Sequence, residues 1–199
     1  MKYILIFAVF LMSGCMGPGK FAVKQSVSDP IHGGTEVVLT STNNRVSNKD
    51  PDGNYYAYQD GLYLNPYVAK DKGQALIGFD VTWTSTRTTL AGLNGNNPAS
   101  VGPLMKMDIK ADDVVYSFNL KNQEFRHGGL EANQFSDDVS LEEQDSATAT
   151  LSKLEYEAIM NATNLVIEIT GTSGSFYYKE ELLAEHFKKN LKSFYDSHL

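Results

Sequence analysis

Strict alternation of apolar and polar residues marks the middle of the chain and predicts half-buried β-strands. Residues 77–84 place their apolar side chains on one face, namely Ile77, Phe79, Val81 and Trp83. Residues 105–110 and 114–120 alternate in the same way on either side of a polar turn, so they predict an antiparallel hairpin. The first strand of this hairpin is predicted to turn Met105, Met107 and Ile109 inward.

Shorter segments complete the predicted strands. Residues 36–41 are rich in β-branched side chains, which favours a strand. Residues 62–69 contain Pro66, which predicts an edge position because proline has no amide hydrogen to donate to a neighbouring strand. The remaining predicted strands span residues 147–151, 165–170 and 176–178, with a tight turn at 171–174 between the last two.

Two helices are predicted in the last third of the chain. The first spans residues 151–162, where Ser152 and Glu155 have the spacing of a capping box. Its buried side is predicted to be Leu154, Ala158 and Ile159. The second spans residues 179–197 and carries one apolar stripe that is expected to pack on the sheet. That stripe consists of Leu183, Phe187, Leu191, Phe194 and Tyr195.

These elements predict a fold that is mainly β (α+β). It is an antiparallel sheet or β-sandwich with one short connecting helix and a C-terminal amphipathic helix packed on the sheet. Glycine and small polar residues predict surface loops over residues 91–103 and 121–134. The acidic segment 137–145 is predicted to present mainly a solvated face. Residues 35–199 are expected to form a single domain of ordinary length.

The first fifteen residues have the parts of a bacterial secretory signal. Lys2 precedes an uncharged apolar run over residues 4–12, which is shorter than the roughly 20 residues that a membrane-spanning helix needs. The exit sequence Leu11-Met12-Ser13-Gly14-Cys15 resembles the lipobox of bacterial lipoproteins, in which small residues precede a cysteine that becomes lipidated and N-terminal. Met12 departs from the pattern, since leucine or a similar residue is usual there.

The resemblance implies removal of residues 1–14 and a lipid anchor on Cys15 with more than one acyl chain, which gives stable membrane attachment. An ordinary cleaved signal is the alternative, but no A-x-A-like site follows the apolar run. Met16 stands where the family's inner-membrane retention signal has aspartate, so the resemblance implies the outer membrane, facing the periplasm. Residues 15–34 are predicted to be a tether, although weak alternation from Phe21 to Val27 also allows an edge strand.

Charge and cysteine content exclude several classes of function. The formal net charge is −7 and becomes −8 once Lys2 is removed, which argues against a nucleic-acid partner. Cys15 is the only cysteine, so a lipidated chain has no cysteine nucleophile, no internal disulfide and no cysteine-bound zinc. An apolar content of 42% is sufficient for a folded core.

A group of tyrosines is the main candidate for a ligand or partner surface. Its members are Tyr55, Tyr56, Tyr58, Tyr63 and Tyr67. Clustered tyrosines form protein interfaces or stack on sugar rings, whereas the alternative is that they cover the core with their hydroxyls in water. The predicted loops at 91–103 and 121–134 are further candidate contact surfaces.

No catalytic motif or cofactor motif is present in the sequence, and no cofactor is expected. The histidines are predicted to be surface residues, and they are His32, His127, His186 and His198. The segment 50–54 offers oxygen ligands for calcium but is shorter than a twelve-residue calcium loop and has the composition of a turn. Met105 and Met107 on one strand face allow copper(I) binding, with core packing as the alternative.

The sequence therefore predicts a membrane-tethered bacterial envelope lipoprotein that acts as a non-enzymatic binding or assembly module with an envelope protein partner. The first alternative is a carbohydrate-binding or glycan-processing protein, in which carboxylates such as Asp137 or Glu142 flank a cleft lined by tyrosines. The second alternative is a calcium- or copper-responsive module.

Overall fold

The computed structural model describes residues 20–27, 37–56, 59–71, 74–90, 101–132 and 138–199, which form ten strands and two α-helices. The strands are β1 (Ala22–Val27), β2 (Val37–Thr42), β3 (Gly61–Asp71), β4 (Gln74–Leu90), β5 (Leu104–Ala111), β6 (Val114–Asn119), β7 (Lys121–Ala132), β8 (Asp138–Leu151), β9 (Leu165–Gly171) and β10 (Gly174–Tyr178). The helices are α1 (Lys153–Asn161) and α2 (Glu185–His198), and a 3-10 turn over Glu180–Leu182 precedes α2.

The strands form two antiparallel sheets, which confirms the predicted fold class. The larger sheet has the order β1-β2-β3-β4-β8-β7 and the smaller sheet has the order β10-β9-β5-β6. Helix α1 connects β8 of the larger sheet to β9 of the smaller one, and α2 packs against α1 and β3. One cluster of buried apolar side chains draws residues from both sheets and both helices, as in a sandwich.

The predicted alternation is confirmed in the central strands of both sheets. The four side chains of β4 that the alternation places inward are buried, namely Ile77, Phe79, Val81 and Trp83. Those of β9 are fully buried as well, namely Leu165, Ile167 and Ile169. The ring of Trp83 stacks on that of Phe176 in β10 with 5.0 Å between centroids, so aromatic packing joins the two sheets.

The hairpin of β5 and β6 is confirmed, but the inward position predicted for Met105 is wrong. The register with β9 shifts between Leu104 and Lys106, so Leu104 is buried and Met105 is 51% exposed. A bulge inserts an extra residue and changes the face on which the preceding side chain lies. Met107 is fully buried, as the favoured core packing requires, so the two methionines do not share a face and the copper(I) alternative loses its basis.

Pro66 lies in an inner strand, so its predicted edge position is wrong. Strand β3 pairs with β4 along its whole length and with β2 from Tyr67 to Lys70. The pairing with β2 therefore ends next to Pro66. Beyond it the chain turns at Asn43, which has a φ of 64°, and the Asn44 amide donates to Oδ1 of Asn65 instead. This interruption accommodates a residue that has no amide hydrogen.

The prediction of a loop at 121–134 is wrong for the described residues, because residues 121–132 form β7. This strand is the outer strand of the larger sheet and has two register shifts, so it carries little of the apolar alternation that marks a strand. The acidic segment behind it forms β8, which lies inside the sheet. Glu143 and Asp145 are consequently buried instead of solvated.

Helix α1 begins with the predicted capping box. The amide of Glu155 donates to Oγ of Ser152 at 3.2 Å, and the amide of Ser152 donates to Oε2 of Glu155 at 2.6 Å. The buried residues of the helix are Tyr156, Ile159 and Met160. Leu154 is 76% exposed, contrary to prediction, because two residues of helix rotate it about 200° from Tyr156.

The C-terminal helix begins at Glu185, later than predicted. Leu183 and Ala184 are extended instead of helical. The Ala184 amide donates to the carbonyl of Val46 at 2.8 Å, and Leu183 forms a β-bridge with Ser47. These long-range backbone contacts take the place of the first helical turn, while Phe187, Leu191 and Phe194 are buried as the apolar stripe predicts.

Part of the predicted tether is a strand. Residues 22–27 form β1, which pairs antiparallel with β2 at the outer edge of the larger sheet. The edge-strand alternative for this segment is therefore correct.

Candidate functional site

Several predicted site residues lie outside the described part of the chain. These are Cys15, His32, Tyr58, Asp137 and residues 91–100, together with the side chains of His127 and Glu142. Lipidation of Cys15 and the loop surface at 91–100 therefore stay predictions. At the described end of this loop Val101 is 1% exposed and packs in the core, so the predicted surface position is wrong there.

Tyr55 and Tyr56 are neighbours in the loop before β3 but have different surroundings. Tyr55 is 78% exposed, and the Lys49 ammonium lies 4.8 Å from its ring centroid. Tyr56 turns inward, where its ring meets Trp83 edge-on and its hydroxyl shares a 2.5 Å hydrogen bond with that of Tyr178. Burial raises the pKa of Tyr56 well above its ordinary value. Tyr56 thus belongs to the core, and Tyr55 is available for contact.

Tyr63 and Tyr67 lie on the outer face of the larger sheet, which points away from the smaller sheet. The register places Tyr63 opposite Thr82 and Tyr67 opposite Gly78. The Tyr63 hydroxyl donates to the carbonyl of Gln59 at 2.8 Å. The described tyrosines of the predicted surface are thus divided among a loop, the core and this outer face.

The outward side chains of β3, β4, β8 and β7 form a continuous surface, which we term the polar face. Strand pairing aligns Tyr63, Thr82, Ser146 and Glu124 in one row across the four strands. Adjacent rows follow the same pairing, because successive outward residues lie two positions apart. The polar face comprises Tyr63, Asn65, Asp80, Thr82, Thr84, Glu124, Arg126, Gln144, Ser146 and Thr148.

The polar face contains two adjoining depressions of about 310 Å³ and 300 Å³. Both are lined by Asp80, Thr82 and Gln144, and the first extends to Glu124 and Arg126 of β7. The second extends in the opposite direction, towards the end of β2. Each volume lies at the lower end of the range of small-molecule pockets, roughly 300–1,000 Å³.

Asn65 on the polar face is held by a chain of hydrogen bonds that reaches α2. It is 7% exposed, and its Oδ1 accepts from the Asn44 amide at 2.9 Å. The Asn44 side chain in turn donates to the carbonyl of Leu64 at 2.9 Å and accepts from Nδ2 of Asn190 at 3.1 Å. Supporting contacts of this kind fix the orientation of a side chain that lines a site.

Asp80 is the carboxylate common to both depressions. Partial burial raises the pKa of Asp80, the Glu124 carboxylate raises it further, and the Arg126 guanidinium lowers it. An ionised Asp80 is a strong hydrogen-bond acceptor, and Glu124 and Arg126 add an acceptor and a donor at the far side of the first depression. The surface can therefore bind a ligand that both donates and accepts hydrogen bonds.

The segment 50–54 forms the turn that its composition favours over a calcium loop. Oδ1 of Asp50 accepts from the Asn54 amide at 2.8 Å, and the carbonyl of Asp50 accepts from the Gly53 amide at 3.0 Å. Oδ2 accepts from the side chain of Asn54 at 3.2 Å. Within the described ranges, no group of three or more His, Cys, Asp or Glu side chains is placed to hold a metal ion.

Sequence reasoning treated the outward residues of β4 as an ordinary solvated face and did not single out Asp80, Thr82 or Gln144. The low charge of the outward residues on β4 and β8 could have indicated this surface. The outward residues of β5 in the smaller sheet are Lys106, Asp108 and Lys110, as expected for a surface in water. On β4 they include Thr82 and Thr84 beside Asp80, and on β8 they include Gln144, Ser146 and Thr148.

Comparisons of the chain with family models, curated proteins and solved structures found no match. In the part of the chain that the structure describes, no helix has the length and apolar character required to cross a membrane.

Proposed function

We propose that this chain is a lipid-anchored, non-enzymatic binding module of a bacterial cell envelope and that it recognises its partner through the polar face. The observation that carries the binding role is the pair of adjoining depressions built on four paired strands. Side chains on paired strands keep their relative positions better than side chains on loops, and a recognition surface requires this precision.

The anchoring role rests on the lipobox-like sequence that ends at Cys15. Cys15 lies seven residues before the start of β1, a distance that the chain can span with at most about 25 Å. Strand β1 forms one edge of the larger sheet, whereas the polar face runs from β3 to the opposite edge at β7. A lipid on Cys15 therefore holds the β1 edge close to the membrane and leaves the polar face accessible. The proposed location is the outer membrane, facing the periplasm.

The anchor is tested by growing cells that express the full chain with an alkyne-tagged fatty acid. The chain is expected to take up the label, and C15S is expected to lose it and to leave the membrane fraction. M12L serves as the matched control, because it changes the same exit sequence towards the lipobox pattern and should keep the label. An unlabelled wild-type chain contradicts the anchored function.

The binding surface is tested in the same cells with a photo-crosslinking amino acid at position 124 or 144, two accessible positions of the polar face. The matched control carries it at Ser117, an exposed outward residue of β6 in the smaller sheet. Crosslinked products are expected from the two polar-face positions and not from position 117. Products that form equally at all three positions, or at 117 alone, contradict the proposed surface.

A further inference from the structure

We infer that the polar face binds a neutral oligosaccharide, an inference that rests on the proposed binding function and names its ligand. The accessible side chains that line the second depression offer hydroxyl, amide and carboxylate groups, and they are Thr42, Asn43, Gln59, Asp80 and Gln144. Tyr63, Asn65, Thr82 and Thr84 form its floor and are each at most 8% exposed. Asp80 is the one charged side chain among the described residues that line it. Hydroxyl and amide groups each donate and accept hydrogen bonds, and these are the groups that match the hydroxyls of a sugar.

The charge of the surface selects against anionic ligands. The first depression has two carboxylates, Asp80 and Glu124, beside one cation, Arg126. The whole chain is acidic, with a formal net charge of −7. A phosphate, sulfate or uronic-acid ligand would meet net repulsion here, whereas a neutral polyol can donate hydroxyl hydrogen bonds to Asp80.

The extent of the surface points to a ligand longer than a single sugar ring. The two depressions, of about 310 Å³ and 300 Å³, adjoin through shared lining residues and together run from the end of β2 to β7. Both present hydroxyl and amide groups on a two-residue repeat set by the strands. An oligosaccharide can place similar rings in both depressions, whereas a monosaccharide can occupy only one at a time.

A polypeptide is a poorer match for this surface. Protein interfaces centre on apolar or aromatic side chains that are accessible in the free protein and become buried in the complex. Tyr63 is the aromatic side chain among the described residues that line the second depression. It is only 7% exposed, and its hydroxyl is already bonded to Gln59. The surface therefore offers hydrogen bonds without an apolar anchor.

The experiment is a calorimetric titration of the chain, purified in a detergent that has no sugar headgroup, with maltohexaose, cellohexaose and the N-acetylglucosamine hexamer. At least one neutral hexasaccharide is expected to bind, and its monosaccharide is expected to bind at least tenfold more weakly. Hexagalacturonate, which is anionic, is expected not to bind. The inference is overturned if none of the neutral hexasaccharides binds, or if hexagalacturonate binds as well as they do.

The site is tested with Q144A, which removes an amide that lines both depressions. The matched control is N119A, which removes an exposed amide from the outer face of the smaller sheet. Q144A is expected to weaken binding about five- to tenfold, in line with the loss of a hydrogen bond, and N119A is expected to leave it unchanged. Equal binding by Q144A and wild type contradicts the assigned site.

Backbone amide chemical shifts of the wild-type chain locate the ligand without any variant. The saccharide is expected to perturb residues of β4 and β8, and perturbation confined to β5 and β9 places it elsewhere and overturns the inference. Crosslinking of a polypeptide at positions 124 and 144, together with no saccharide binding, overturns the sugar ligand but keeps the binding module. Absence of both saccharide binding and crosslinking overturns both.

Discussion

The hydroxyl groups of Tyr56 and Tyr178 lie 2.5 Å apart and share a hydrogen bond that joins the loop before β3 to the last strand of the smaller sheet. Both rings are largely buried, and burial raises the pKa of each hydroxyl, so the pair stays protonated at physiological pH. The bond connects segments 122 residues apart in sequence. The bond therefore stabilises the contact between the two sheets near the place where Trp83 stacks on Phe176.

Y178F is expected to destabilise the fold by about 1–3 kcal/mol, because it leaves the buried Tyr56 hydroxyl without its partner. Y56F should have a similar effect for the same reason. The double variant should lose less than the sum of the two, since no orphaned hydroxyl then remains. Urea unfolding of the four chains measures this coupling, and strictly additive losses would show that the two hydroxyls do not depend on each other.

The capping box of α1 gives a second prediction. S152A removes the Oγ that accepts from the Glu155 amide and should lower stability by about 0.5–2 kcal/mol. S193A is the matched control, because Ser193 is exposed within α2, where alanine is a slightly better helix former. The two variants are compared by thermal melting. A loss in S193A as large as that in S152A would contradict a specific role for the cap.

Gly78 gives a third prediction, because the backbone of β8 and the ring of Tyr67 leave no room for a side chain. A Cβ at Gly78 would lie 2.3 Å from the carbonyl oxygen of Ala149 and 2.4 Å from a ring carbon of Tyr67. G78A is therefore expected to destabilise the larger sheet by about 1–3 kcal/mol.

The Y67A variant distinguishes the effect of the Tyr67 ring from that of the Ala149 carbonyl on a side chain at position 78. The ring can move or be removed, but the Ala149 carbonyl belongs to the strand ladder and cannot shift without breaking pairing. The G78A/Y67A double variant should therefore remain less stable in urea than Y67A alone. Equal stability of these two chains would mean that the ring is the whole obstacle.

Much of the fold was predictable because several strands have one buried and one exposed face. Apolar residues recur at every second position from Ile77 to Trp83 and at Leu165, Ile167 and Ile169, and these side chains are buried as that pattern indicates. Met105 was misplaced because the bulge beside it arises from pairing with β9, more than fifty residues later in the chain. Pro66 was misplaced for a similar reason, since an irregular contact with Asn44 lets proline occupy an inner strand.

The candidate site was harder to predict because its parts come from distant segments. Asp80 and Gln144 lie on neighbouring strands that are far apart in sequence, and only the pairing of β4 with β8 brings them to one depression. Gln144 also lies in an acidic segment whose composition suggests a solvated face, and Glu124 and Arg126 lie in a segment that resembles a loop. Charge and periodicity cannot reveal such a surface until the strand order is known.

Asp80 gives the last prediction, which tests whether its charge lowers the free energy of unfolding. The raised pKa of Asp80 means that the folded chain binds the carboxyl proton more tightly than the unfolded chain does. The contribution of Asp80 to stability is therefore fully present below its ordinary pKa of 3.8 and is lost as the pH rises through its folded-state value. At pH 7 the ionised group should weaken the fold.

D80N, which is neutral at every pH, should accordingly unfold at higher urea concentration than wild type at pH 7, and the difference should shrink at pH 3.5. D113N, at the exposed turn between β5 and β6, controls for the loss of one negative charge and should not reproduce this change with pH. If D80N is less stable than wild type at pH 7, the Asp80 carboxylate stabilises the fold. It is then not a destabilising group that is kept for ligand binding.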